Sequence, residues 1–300
     1  HSTDLFCDAS IKFLETQDES IPFFLYTSLM APHDPRTMPD KFLKLYNPAT
    51  IELPENFLEE HPIDTGALRI RDELLAAFPR DPDEIKKHIA EYYAMISHLD
   101  DAFGKIIEKL EEKKLLENTI IVFAGDNGLA IGQHGLMGKQ NLYDHSVRVP
   151  LIFAGPGIPQ GKKINSLSYL FDIFPTLCDL TKTAKPASIE GQSLTPCFKP
   201  SPQKTREALY LAYGKSIRGV TDGEYKLIEY ASGDSQLFHL SEDPFEKCNL
   251  ANNNSFNLII AKMRTQLVTL AHDWDDAKHP LGDLFWKMRS DLTDDTSQKN

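Results

Sequence analysis

Thr119-Ile-Ile-Val-Phe123 is an apolar, β-branched run without alternation. The chain leaving it reads Ala124-Gly-Asp126-Asn127-Gly-Leu-Ala-Ile-Gly-Gln-His134-Gly-Leu-Met-Gly-Lys139-Gln140. Such a run predicts a strand covered on both faces, as in a parallel sheet. Upstream of it Ile85, Ile89, Tyr92, Ile96, Leu99, Phe103, Ile106 and Leu110 recur at spacings of three and four, one face of a long helix over 83–116. Asp81-Pro82-Asp83-Glu84 supplies a proline and carboxylates at the start of that helix, and Lys113-Lys114 supplies cations at its end. Helix, strand and glycine-rich loop make one αβ step of a layered α/β sheet, whose ligands bind beyond the carboxyl ends of the strands.

The loop offers two kinds of chemistry. Asp126 and Asn127 are hard oxygen donors suited to a cation such as Ca²⁺, whereas His134 and Lys139 suit an anion. One loop with both is expected to hold a metal-bound anionic ester. Asn-Gly alone is a common tight-turn dipeptide, but a hairpin would need an alternating strand after it, and Leu129–Met137 instead holds further glycines. His134 reads equally as an anion contact or as a histidine bonding the carbonyls of the loop. His33, in Ala31-Pro-His-Asp-Pro35, follows another apolar run, Pro22–Ser28, and can protonate a leaving alkoxide near neutral pH. Asp34 and Arg36 either line the same pocket or cap its turn. Asp144 and Arg148 read as a buried i,i+4 ion pair.

Around these segments the chain predicts a first helix over 4–17, capped by Ser2, Thr3 or Asp4, a polar turn at 17–20, and an irregular, proline-rich surface excursion over 37–82. A second buried strand is expected within Arg148–Gly157 and a short helix within Ser168–Thr181, broken early by Pro175. After a linker-like stretch at 182–205, the segments 208–213, 216–221, 225–230 and 236–240 are joined by turn residues and predict a small antiparallel sheet. A helix near 255–272 and a polar tail follow. The expected organisation is a large α/β part, 1–200, and a small α+β part, 205–300.

Composition narrows the partners. The formal charge of −12, from 32 Lys+Arg against 44 Asp+Glu, argues against nucleic acid, which needs a basic face, yet a local cation cluster can still bind an anion. No apolar stretch approaches the ~20 residues of a membrane span. The cysteines, Cys7, Cys178, Cys197 and Cys248, form no C-x-x-C pair, which argues against zinc ribbons and redox motifs and leaves disulfides open. The start, His1-Ser-Thr-Asp4, is no signal peptide and reads like a cut within a longer protein.

Taken together, Gly125-Asp-Asn-Gly128, Gly132-Gln-His-Gly-Leu-Met-Gly-Lys139, Tyr143-Asp144 and Arg148-Val-Pro-Leu-Ile152 resemble the second signature of the type I sulfatases, in the alkaline phosphatase superfamily. Ala31–Pro35, Asp172-Ile-Phe-Pro-Thr-Leu177, Gln236–Glu246 and Asn249-Leu250 follow in that family's order. The resemblance covers residues from about 2 to about 270. It implies an alkaline-phosphatase-like layered mixed sheet, present here in part, with a small C-terminal antiparallel sheet plus helix. It further implies one Ca²⁺ held partly by Asp126 and Asn127, Lys139 on the sulfuryl oxygens, and His33 as proton donor to the departing alcohol, with His134, Asp34 and Arg36 as substrate contacts. Asp144 stands where the family usually has Glu.

The family's nucleophile is a formylglycine made from cysteine or serine in a Cys-x-Pro/Ala-x-Arg segment, and none of the four cysteines lies in such a pattern. The formylglycine is therefore expected upstream, on an N-terminal part of the same protein, without which this chain would be inactive. Sulfated small molecules or glycans are the expected substrates, and a periplasmic or secreted location follows from the resemblance. Two other readings stand beside it: a phosphate or phosphonate ester hydrolase of the same superfamily, and a non-catalytic binder of sulfated glycans. If these residues stand alone, a sheet built to include upstream strands should show an uncovered apolar edge.

Overall fold

A computed structural model describes residues 1–18 and 20–293; Glu19 of the expected polar turn and the end of the polar tail, 294–300, lie outside the described residues. The chain forms two compact units that interleave along the sequence. The first comprises 1–54, 76–123 and 152–158, the second 55–75, 124–151 and 159–300.

In the first unit α1 (Ser2–Thr16) and the short α2 (Asp40–Leu43) both pack on α3 (Pro82–Glu112). Cys7 and Leu14 from α1 and Ala102, Ile106 and Leu110 from α3 form the buried core, each less than one-tenth exposed. The long helix begins as its sequence predicts: the Asp81 side chain accepts from the Glu84 N–H at 2.8 Å, with Pro82 in the first turn. The first helix does not. Its N-cap is His1, with no side-chain bond, and Asp4 instead accepts from Nε2 of the buried His98 at 2.9 Å. A hydrogen-bonding partner from the long helix takes the carboxylate away from the local cap.

The segment after α1 is extended and alternates strictly. Phe23, Leu25 and Leu29 pack on the α1–α3 core, and Thr27 bonds Ser10 at 2.8 Å. Phe24, Tyr26 and Met30 are 77%, 79% and 65% exposed. The predicted strand is thus an extended segment with no ladder among the described residues. The strand β1 (Ile121–Ala124) pairs with β2 (Leu151–Ala154). Neither is buried on both faces: β1 is half-buried, and Ile152 of β2 is 57% exposed. The apolar runs do form strands, but neither is covered on both faces as expected.

The second unit is built on an antiparallel sheet in the order β3 (Leu209–Tyr213), β4 (Ile217–Thr221), β5 (Tyr225–Tyr230), β6 (Ser235–His239). Both faces are covered. On one, Tyr210, Val220, Leu227 and Leu237 meet Ile260, Met263 and Leu267 of α6 (Asn257–Asp273). On the other, Ile217, Ile228, Tyr230 and Phe238 meet Ala130, Leu136, Leu142 and Tyr143 from the glycine-rich loop and its exit. Burial of each Val, Leu, Ile, Met or Phe side chain among them contributes about 1.5–3 kcal/mol.

Three expectations need correction here. A helix, α7 (Pro280–Met288), occupies much of the expected tail. Phe285 is fully buried beneath the Arg218 guanidinium, which also pairs with Asp276 at 2.8 Å. Pro175 does not break its helix: it is the third residue of α5 (Ile173–Thr181), where its missing N–H has no intrahelical partner to lose. The Asp144–Arg148 pair forms but is not buried. The Arg148 side chain is 79% exposed and 3.5 Å from Asp144. Asp144, which begins the single turn α4 (Asp144–Val147), pairs with the buried Lys226 of β5. Lys226 also donates to Glu246 at 2.8 Å, and Glu246 accepts the Asp144 N–H at 2.7 Å. All four cysteines are free, and no helix among the described residues is long and apolar enough to cross a membrane.

The Lys226 triad should be costly to break. Burial pushes the Glu246 carboxyl up, Lys226 opposes that shift, and Asp144 adds to it. Lys226→Met leaves two carboxylates facing each other, and we expect a stability loss of about 3–5 kcal/mol at neutral pH. The loss should shrink as Glu246 takes up a proton in acid. Urea unfolding at pH 7 and pH 5 measures both, and equal losses at the two would contradict the account.

Candidate active site

The residues expected to act lie in both units: His33, Asp34 and Arg36 in the first, Asp126, Asn127, His134 and Lys139 in the second. In the second unit the loop leaving β1 is drawn together by its own backbone. Gly125 N–H donates to Pro150 O (3.2 Å), Gly128 to Ser146 O (2.9 Å), Ala130 to Gly138 O (3.0 Å) and Gly132 to Leu136 O (2.8 Å). The Ala130–Gly138 bond ties the residues after Asp126-Asn127 to the residue before Lys139, so both ends of the loop leave one narrow neck. Close approach explains two of the glycines. A Cβ on Gly128 would lie 1.9 Å from His145 O, and one on Gly135, at φ +74°, would lie 2.5 Å from the backbone of Glu60.

Asp126 and Asn127 are exposed, and the Asp126 carboxylate accepts the Asn127 N–H at 2.9 Å. One carboxylate and one amide oxygen fit a hard cation but fill only part of the 6–8 oxygen ligands Ca²⁺ takes. No cluster of three or more His, Cys, Asp or Glu among the described residues completes a metal site.

His134 has its own explanation. It sits at the loop tip in the left-handed region, φ +54°, and is 6% exposed. Its N–H donates to Asn56 O (2.7 Å), its carbonyl accepts from His61 Nδ1 (2.9 Å), and its Nε2 lies 3.1 Å from Asn56 Nδ2. Its ring stacks on Tyr143 at 3.9 Å between centroids. Of the two readings, these contacts support the histidine that holds the loop. Burial, with His61 nearby, lowers its pKa to about 4.

Lys139 is one-quarter exposed and its Nζ is 3.9 Å from an Asp72 oxygen. Asp72 and Glu73 come from the 37–82 excursion, which is therefore more than a surface loop: Asn56, His61, Asp72 and Glu73 are all buried. Sequence reading missed them. Polar residues in an irregular stretch give no periodic signal, and the only hint was two adjacent carboxylates beside leucines.

In the first unit His33 is exposed, and its Nδ1 lies 2.8 Å from Asp34 O and 3.2 Å from an Asp34 carboxylate oxygen. Arg36 is half-buried and bonds His88, while its Nη2 is buried without a partner among the described residues. Burial lowers the Arg36 pKa against the pull of Glu91 and Asp34.

Comparison with known proteins decides the family. Residues 1–183 match the sulfatase family model, and residues 132–273 match the C-terminal model of N-sulphoglucosamine sulphohydrolase. The chain belongs to the sulfatase family. It is 31% identical over 260 residues to a sulfatase of Formosa agariphila, covering 85% of this chain and 51% of that one. It is 32% identical to a choline-sulfatase of Rhizobium meliloti, with 80% and 48% covered. The chain thus spans about half the length of these relatives. Its alkaline-phosphatase-like α/β fold is shared with a structure bound to D-glucosamine-2-N,6-O-disulfate as its substrate (TM-score 0.78, 21% identity, 92% of this chain and 70% of that chain). A phosphonate monoester hydrolase of Agrobacterium radiobacter has the same fold (TM-score 0.79, 22% identity, 91% and 62%).

The state of His134 predicts a pH effect. Its folded pKa of about 4 lies below the 6.5 of an unperturbed histidine, so between those values the unfolded chain binds more protons. The contribution is complete above pH 6.5 and falls by about 3 kcal/mol as pH drops to 4. Burial also lowers His61, and His145 more strongly, steepening the trend. His134→Asn keeps a residue tolerant of positive φ and removes the titration. Urea midpoints between pH 7 and 4.5 should fall less steeply in that variant, and identical slopes would refute the assignment.

Proposed function

We propose that the protein carrying this chain hydrolyses sulfate esters, with a sulfated carbohydrate as substrate and the formylglycine nucleophile on a segment upstream. The observation that carries the reading is the tied loop of a sulfatase-family chain, in which exposed Asp126 and Asn127 precede the Ala130–Gly138 backbone bond and Lys139 follows it. The amino-sugar sulfohydrolase family model and the disulfated glucosamine in a structural neighbour support the carbohydrate class.

In this reading Asp126 and Asn127 hold a hard cation, Ca²⁺, with ligands from beyond the described residues completing the shell. When bound, the cation supplies Lewis-acid polarisation of the sulfate oxygens. The Lys139 ammonium stabilises the charge that builds on the sulfuryl oxygens. His33 gives a proton to the departing alcohol oxygen. With its Nδ1–H donated to Asp34 O, the proton it transfers is the one on Nε2. The Arg36 guanidinium, with one buried nitrogen unpartnered among the described residues, is a further anion contact, and Asp34 orients the His33 ring.

The phosphonate monoester hydrolase neighbour favours a second reading, phosphonate ester hydrolysis on the same framework. Asn127 weighs against a two-metal version of it, since a neutral amide suits one hard cation better than a second zinc.

In the intact enzyme, Lys139→Ala and His33→Ala should each lower turnover of sulfate esters about 10²-fold or more. The His33 loss should be larger for alkyl than for 4-nitrophenyl sulfate, whose leaving group needs no proton. Near-normal rates in both variants would overturn the roles. Chelation should abolish activity and Ca²⁺ restore it. Zinc-only recovery, with phenylphosphonate esters preferred, would select the second reading.

A further inference from the structure

Three consecutive backbone N–H groups lead to Lys139, and each is taken by a side-chain acceptor rather than by secondary structure. Glu73 accepts Met137 N–H at 2.8 Å through one carboxylate oxygen and Gly138 N–H at 2.9 Å through the other. Gln140 Oε1 accepts Lys139 N–H at 2.9 Å, and Gln140 Nε2 donates to Asp72 at 2.7 Å. Asp72 is held in turn by the Nε and Nη2 of Arg71, at 2.9 and 2.6 Å, and its second oxygen lies 3.9 Å from Lys139 Nζ. A Cβ at Gly138 would stand 2.3 Å from Gln140 Oε1 and 2.8 Å from Glu73 Oε1, so a larger residue would displace the side-chain atoms that hold the turn.

We propose that Glu73, Asp72 and Gln140 are positioning residues for Lys139, a carboxylate–amide bracket that sets where its ammonium stands before the anion arrives. This rests on the reading of Lys139 as the sulfuryl-oxygen contact. Glu73 is 3% exposed, and two buried backbone N–H groups occupy its two oxygens, so it fixes the turn. Gln140 couples that turn to Asp72 because an amide both accepts and donates, which no carboxylate or hydrocarbon at this position can do at neutral pH. Burial raises the Asp72 carboxyl, but the bonds from Gln140 and Arg71 outweigh it and hold the group below the usual range. Asp72 therefore stays an anion at working pH. At 3.9 Å it orients the ammonium, so an incoming sulfate meets a prepositioned cation.

Two substitutions at Gln140 test this, together with Lys139→Ala. Gln140→Leu removes both bonds. Gln140→Glu is isosteric but sets two carboxyl groups 2.7 Å apart, where one must hold a proton. In this chain, acetic anhydride should label Lys139 severalfold faster in Gln140→Leu than in wild type, read by peptide mass spectrometry. In the intact enzyme with 4-nitrophenyl sulfate, Gln140→Leu should lower kcat about tenfold or more with little change in KM. On the Lys139→Ala background the same substitution should change kcat less than about twofold, the signature of action through one residue. Gln140→Glu should approach wild-type kcat at acid pH and lose it as the shared proton leaves. Unchanged labelling, or a kcat loss that persists without Lys139, overturns the bracket. A full-rate Lys139→Ala enzyme instead overturns the role of Lys139 itself.

Discussion

The contact of Ala130, Leu136, Leu142 and Tyr143 with Ile217, Ile228, Tyr230 and Phe238 holds the candidate site in shape. A loop with five glycines between 125 and 138 has little intrinsic reason to keep one conformation, since glycine loses the most freedom on ordering. Here the small C-terminal sheet supplies the rigidity. Its inner strands are covered on both faces, one by a helix and one by the loop itself. The sheet is therefore the floor of the chemistry although none of its residues is expected to touch substrate.

Polar groups then refine what the apolar contact places. Lys226 reaches from β5 to Asp144, immediately after Tyr143, and to Glu246. A buried lysine with two carboxylates has a heavy desolvation cost that only close pairing offsets. The result locks one chain direction at the exit of the loop. At the tip, Asn56 and His61 clamp His134, and before Lys139 the Glu73 carboxylate clamps two backbone N–H groups. Each clamp comes from residues far away in sequence.

That distance explains what could be read from the chain and what could not. The long helix, the four C-terminal strands and the position of the glycine loop follow from periodicity and turn residues, which are local. The roles of Asp72, Glu73 and Gln140 depend on pairings between residues more than sixty positions apart, and no spacing rule reaches them. Asp144 shows the same limit: its i,i+4 pair with Arg148 is local and exposed, whereas its buried partner, Lys226, lies far along the chain. The helix at 280–288 was legible in principle, with proline in its first turn and a buried Phe285. Polar surroundings masked it.

An acidic protein with a site for an anion is not a contradiction. At physiological ionic strength charges beyond about 8 Å are largely screened, so the formal charge of −12 says little about the neck of one loop. What matters there is how local cations are balanced. Asp72 carries Arg71 and Gln140 as direct partners and stands off from Lys139. The ammonium is oriented by a carboxylate already committed elsewhere. A closer Asp72 would form a tight pair that an incoming sulfate would have to break, and a more distant one would leave a four-carbon stem to wander. The intermediate distance satisfies both demands, and the glycine at 138 and the amide at 140 make that distance geometrically available.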